Sequence, residues 1–422
     1  MALWLMVPLP AALARTMLAE VSQAQSPGPD AQASGDRHAQ TPALAPTNMT
    51  TAPADEPAWT WAVDANAFGG YDYQRREFTD FDAWESQNWL MGFAARRAGA
   101  WTTTGTAGLT LEPFTIADLG SPQAFQTGET FKNAPLIDYQ HPHDLVMALT
   151  VDTTRAFSRA SVTIGAALVG APPIGPQPFM HRASAAENPQ APLSHHSLDS
   201  THATPGLVRG GVSAFGLSLN GGVFHGREPD EDRTDVDLGR LDSYAVQLAY
   251  ARGGWSGQVS NAWLTRPERL STYDASRRTA SVSYEWRAGD HSLAWTAAAG
   301  QNREVHGNLE AYLLEGVWRM SGKNAVYLRA EQVAKDILDA GFHPVGLGHR
   351  HRQSNLGAFT VGYVRDLVVG RFGRIGLGGD LTTYRVPANL AEAYGSPLSA
   401  HVFVRVRGRA ASAGAAEHMH RH

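Results

Sequence analysis

The chain has 422 residues and a formal net charge of −5, with 35 Lys and Arg against 40 Asp and Glu. That balance gives no reason to expect a nucleic-acid partner, and a cysteine count of 0 removes disulfides and thiolate metal sites. No run is long and apolar enough for a membrane-spanning helix, which excludes a helical membrane protein but not one that crosses on strands, where every second residue faces water.

Residues 1–24 read as an export signal: an apolar core from Ala2 to Ala14, then small residues near Ala19 and Ala24 for cleavage. The usual Lys or Arg ahead of the core is missing. Residues 25–58 are rich in Pro, Ala, Gln, Ser and Thr and have no periodicity, the composition of a disordered linker that cannot bury a core.

From Trp59 to Arg407 short stretches of alternating apolar and polar residues dominate. Tight turns are expected at 95–99, 157–159, 215–216, 252–254, 287–290, 320–323 and 369–371, each a few Gly, Ser or charged residues between strand-like runs. Longer polar connections are expected at 74–84, 113–142, 171–205, 227–241, 264–276, 302–308, 336–351 and 386–397. Their strict alternation predicts an all-β fold, a single antiparallel barrel of about sixteen strands with both ends on the tight-turn side; fourteen is the alternative count. A soluble sandwich or propeller is the competing fold, but it lacks the tight/long asymmetry, and no blade motif repeats.

The faces of the strands carry the membrane argument. Tyr244, Val246, Leu248 and Tyr250 alternate with small and polar residues, as do Ala280, Val282, Tyr284 and Trp286. Tyr312, Leu314 and Trp318 stand opposite Glu315 and Arg319, Val326 and Leu328 opposite Arg329 and Glu331, and Val402, Val404 and Val406 opposite Arg405 and Arg407. An Arg or Lys at the lipid midplane costs roughly 2–4 kcal/mol. Glu285, Glu315, Arg319, Arg329, Glu331, Arg405 and Arg407 are therefore expected to line a lumen and set the field along it.

Of 17 histidines, nine fall in three long connections: His141 and His143; His181, His195, His196 and His202; and His343, His349 and His351. Imidazole suits Cu, Zn, Ni and Fe, and a thioether such as Met180 favours Cu(I), so His141, His143, His181, His195, His196, His202, His349 and His351 are candidate metal ligands. A solvated loop tip is the plainer reading of each. The 171–205 connection carries seven prolines and cannot form a ladder; it is expected to be a stiff excursion. Ser194 with His195, and Ser200 with His202 and Asp199, hold the residue types of a nucleophile and base, but neighbours in sequence rarely supply that geometry, and no enzyme is expected. The Asp230-Glu231-Asp232 stretch reads as a charged tip, with divalent-ion or lipopolysaccharide contact as the weaker reading. Residues 408–422 form a His-rich tail.

In architecture, residues 59–407 resemble the bacterial outer-membrane porins: a signal-like start, sixteen alternating strands and long connections on one side. The strings Gln140-His141-Pro142-His143-Asp144, Phe179-Met180-His181-Arg182 and Asp199-Ser200-Thr201-His202 are similar to those of proteobacterial outer-membrane proteins of unsettled activity. The resemblance implies an outer-membrane location, contact with lipid and lipopolysaccharide, homotrimers as in many porins, and a 171–205 connection that folds back into the barrel and narrows it, an extracellular lid being the alternative. The expected function is a partly occluded channel for small polar solutes or ions, with no cofactor required. The alternative is transition-metal handling, with Cu or Zn held by the loop histidines. One departure from the class is that fifteen residues follow the last strand, which such barrels usually finish on an aromatic residue.

Overall fold

A computed structural model describes residues 59–305, 307–336, 353–370 and 373–408, with the backbone alone of 411–413. The signal segment (1–24), the linker (25–58), His343, His349, His351 and nearly all of the tail lie outside the described residues.

Sixteen strands form the barrel: β1 (Trp59–Arg76), β2 (Thr79–Ala98), β3 (Trp101–Leu109), β4 (Val146–Ala156), β5 (Ala160–Gly170), β6 (Thr204–Ala214), β7 (Leu217–Phe224) and β8 (Ser243–Arg252), then β9 (Trp255–Leu264), β10 (Ala275–Ala288), β11 (His291–Glu304), β12 (Gly307–Ser321), β13 (Asn324–Lys335), β14 (Ser354–Gly370), β15 (Gly373–Arg385) and β16 (Leu398–Gly408). Each pairs antiparallel with its neighbour in sequence. The ring closes where β16 returns to β1, with Asn66 opposite Arg407 and Arg75 opposite Leu398. Closure leaves no open edge, so the backbone polar groups find partners without water, as hydrocarbon demands.

The outer face is apolar. Tyr244, Val246, Leu248, Val282, Tyr312, Leu314, Leu328, Val402 and Val404 all point away from the lumen and are exposed. Among the described residues no helix is long and apolar enough to cross a membrane; the strands do that work. Trp59, Trp61, Trp101, Trp255 and Trp286 sit exposed at the tight-turn ends of their strands, where an aromatic girdle meets the headgroups. Such an outer surface on a closed barrel fits the bacterial outer membrane.

Two expected long connections are wrong. The 74–84 region is strand on both sides of a two-residue turn, Glu77-Phe78, with Arg76 opposite Thr79. Its residues alternate poorly because this hairpin, 18 and 20 residues long, exceeds the ten or so residues that a bilayer requires of each strand. Likewise the 302–308 stretch is mostly strand, Glu304 pairing with Gly307. The other long connections stand close to where the sequence put them, the 336–351 connection being described only in part.

The interior is filled at the long-loop end. Ala124 and Phe125 of the 110–145 loop, Leu193 of the 171–203 loop and Leu390 and Tyr394 of the 386–397 loop pack with Ala311, Val333 and Leu356 of the inner wall. Deeper, Phe68, Val317, Tyr327, Val364 and Phe403 form an apolar cluster on the inward faces of β1, β12, β13, β14 and β16.

Leu314 lies mid-strand on the outer face and is 56 % exposed. Leu314→Arg is expected to destabilise the barrel in vesicles by about 2–4 kcal/mol, while Leu314→Ala costs far less; urea unfolding in thin bilayers measures both.

Candidate functional site

The 171–203 loop turns inward after β5 and lies against the inner wall. Its prolines forbid a ladder, so it descends as short turns, 3₁₀ at Phe179–His181 and Ala183–Ala185 and a single helical turn at His195–Leu198. Gly300 of β11 makes room for it: a Cβ there would collide with the Ser197 carbonyl.

Three ionic nodes hold the loop. In the first, Arg182 donates from Nε to Glu315 (2.6 Å) and from Nη1 to Asp199 (2.9 Å), while Arg329 donates to Glu315 (3.0 Å) and to the Gln190 carbonyl (2.8 Å). In the second, Glu187 receives Arg319 (2.6 Å), Arg407 (3.2 Å) and Arg405. Asp366 of β14 shares Arg319 (3.1 Å) and Arg405 and adds Arg374 (3.1 Å). In the third, Glu331 accepts from the backbone N–H of Leu193 (3.2 Å) and from the N–H (2.9 Å) and hydroxyl (2.7 Å) of Ser194. Buried charges are tolerable only when paired in this way.

Glu285, Glu315, Arg319, Arg329, Glu331, Arg405 and Arg407 thus all occupy inward positions of their strands. Six of them hold the inserted loop or its partners rather than facing an open water column. Glu285 stands apart, toward the tight-turn end beside Arg287 (4.0 Å).

A second inserted segment, 110–145, escaped the sequence reading. Phe125 stacks on Tyr394 (4.1 Å between centroids) and takes a left-handed conformation with φ 69°. Gln126 accepts from Lys335 (2.8 Å) and donates to Gln140 (2.7 Å). Asp138 accepts from Phe125 N–H (2.7 Å) and Tyr394 hydroxyl (2.9 Å) and pairs with Arg76. The signal in sequence was faint: Ala124, Phe125 and Ile137 interrupt an otherwise polar stretch.

The two inserted segments meet over a row of histidines. Glu129 accepts from His196 Nε2 (3.0 Å) and lies 3.1 Å from His141 Nε2. His143 Nδ1 bonds Glu112 (2.7 Å), His195 Nδ1 bonds Asp199 (2.8 Å), and His202 Nδ1 bonds the Asp199 carbonyl (2.8 Å). His181 packs edge-on against Trp89 (4.8 Å). The sequence offered these six side chains as candidate metal ligands, and the fold brings them into one region between the two inserted segments. No three of them bring ligand atoms within 4.8 Å of one another; among the described residues only Asp230, Asp235 and Asp237 do so, at a partly exposed loop tip. Nor does either serine candidate reach its neighbouring imidazole: Ser194 donates to Glu331, and Ser200 accepts from Arg277 (2.9 Å).

Burial favours the neutral imidazole at His141, His181, His195, His196 and His202. It lowers His195 and His196 to about 4 and holds His141 and His202 well below the ordinary imidazole value. Burial alone would raise Asp199, but His195 and Arg182 hold its carboxyl below the usual range. At His195 and His196 the released loop binds protons that the seated loop refuses, so their contribution to seating is full above about pH 6.5 and is lost as pH falls toward 4. Protease cleavage within 183–194 is expected to accelerate on acidification from pH 7.5 to about 4.5, and less so in a His195→Gln/His196→Gln variant.

No protein-family model and no curated protein matches the chain. Solved structures do. Salmonella typhi OmpF, in a complex with daunomycin, aligns over 82% of this chain and 97% of its own at 11% identity, with a TM-score of 0.50. The anion-selective porin from Comamonas acidovorans aligns over 83% of this chain and 100% of its own at 15% identity, with a TM-score of 0.48. Pseudomonas aeruginosa OpdQ aligns over 84% of this chain and 98% of its own at 9% identity, with a TM-score of 0.39. At these identities the likeness speaks to architecture, and the chain has the sixteen-stranded fold of a bacterial outer-membrane porin.

Proposed function

We propose that the protein is a porin-like channel for small polar solutes, narrowed by two inserted loops. The observation that carries this reading is the division of faces: an apolar outer belt, and an inner wall where Glu187 of the 171–203 loop gathers Arg319, Arg405 and Arg407. A wall with that many charges is costly unless it faces water or a matched partner. Part of the partner is a loop, and a loop can shift. The proposal involves no chemical step.

Glu187→Gln keeps the shape of the side chain and removes the charge that three arginines share. Single channels of the variant in planar bilayers are expected to conduct more, or to flicker more, than the parent, with unchanged insertion. A parent barrel that inserts and passes no current, in both forms, would sink the channel reading.

A further inference from the structure

Between the 171–203 loop, the 110–145 loop and the inner faces of β1 and β2 lies a small cavity, partly open to solvent. One part of its wall is apolar: Phe68, Trp89, Ile116, Phe179 and Met180. The other part is carboxamide: Asn66, Gln87, Asn188 and Gln190 among them. No lysine or arginine lines it, and the carboxylate that does, Glu112, is tied to both the ring and the backbone N–H of His143 (2.7 and 2.9 Å).

The polar groups are not all spent within the protein. Asn66 is 4% exposed, and its Oδ1 is buried without a hydrogen-bond partner. A buried acceptor in that state is an opening for a donor supplied from outside the chain. Asn188 uses its Oδ1 on the Gln190 N–H (3.0 Å), and Gln190 uses its Nε2 on Asp72 (2.8 Å) and the Pro122 carbonyl (3.1 Å). The Nδ2 of Asn188 and the Oε1 of Gln190 take no part in these bonds, and both residues line the cavity. Trp89 is held from the side by the edge of His181.

A charged solute would lose hydration here without gaining a counter-charge. A purely apolar one would leave Asn66 unsatisfied. The ligand that meets both halves of the wall has an apolar C–H face and several hydroxyl groups. We propose that this cavity binds a small neutral polyol, its C–H face toward the aromatic residues and its hydroxyls on Asn66, Asn188 and Gln190. The inference deepens the channel reading by naming a solute class, and rests on it only for the route by which the solute arrives.

Isothermal titration of the refolded, detergent-solubilised barrel tests it with three probes of similar size: glucose, gluconate and cyclohexanol. Saturable binding of glucose is expected, with gluconate and cyclohexanol at least roughly tenfold weaker, a difference of about 1.4 kcal/mol. Asn66→Ala and Trp89→Leu should each weaken glucose by a similar factor. No saturable glucose binding, equal or tighter binding of either comparison probe, or binding indifferent to both substitutions would overturn the proposal. If a variant fails to refold, as judged by heat-modifiable migration, the ranking of the three probes on the parent barrel still decides. Glucose binding by a barrel that carries no current would spare the site and remove the channel; current without glucose binding would do the reverse.

Discussion

A ring of strands in hydrocarbon must pair every backbone N–H with a neighbouring strand and turn its polar side chains to the inside. In this protein that obligation loads one inner wall with arginines from β12, β13, β15 and β16. Arg405 is fully buried there. A buried guanidinium without a carboxylate costs several kcal/mol, so Glu187 and Asp366 are required by the wall as much as the wall is required by the loop. The inserted loop is thus the counterpart of the barrel's own interior, and the electrostatics of the lumen cannot be separated from the loop's position.

The two inserted loops differ in what holds them. The 171–203 loop is bound mainly by charge, through Arg182, Glu187 and the Glu331 cradle. The 110–145 loop is bound mainly by packing and neutral hydrogen bonds, through Phe125, Gln126 and Tyr394. Neutral imidazoles separate the two, so their contact is sensitive to protons while the charged nodes deeper in the lumen are sensitive to loss of a partner. The amide-lined cavity opens between the two loops, beside β1 and β2.

Most of the barrel was legible because lipid enforces a period of two. Tyr244, Val246 and Leu248 could be assigned to the outside from the sequence, and so could Leu314 and Val404. Legibility failed where lipid is absent. The Glu77-Phe78 turn has no Gly, Pro or Asn, and the strands beside it run past the bilayer with polar residues on both faces, so strand looked like loop. The inward direction of Arg319, Arg405 and Arg407 followed from the cost of charge in hydrocarbon, but their common partner did not: Glu187 is 218 positions from Arg405, and no local pattern links them. The histidines were visible as a composition bias. Their role as a neutral seam between loops depended on burial, which only the fold supplies.

Gln74 of β1 is fully buried at the place where the ring shuts. Its Oε1 accepts the hydroxyl of Ser399 from β16 and the N–H of Ala124 from the 110–145 loop (3.1 Å). One amide oxygen therefore joins the first strand, the last strand and a stopper from the first third of the chain. The stopper is thereby fastened to the closing seam itself, so its docking and the meeting of the N- and C-terminal strands draw on one shared acceptor.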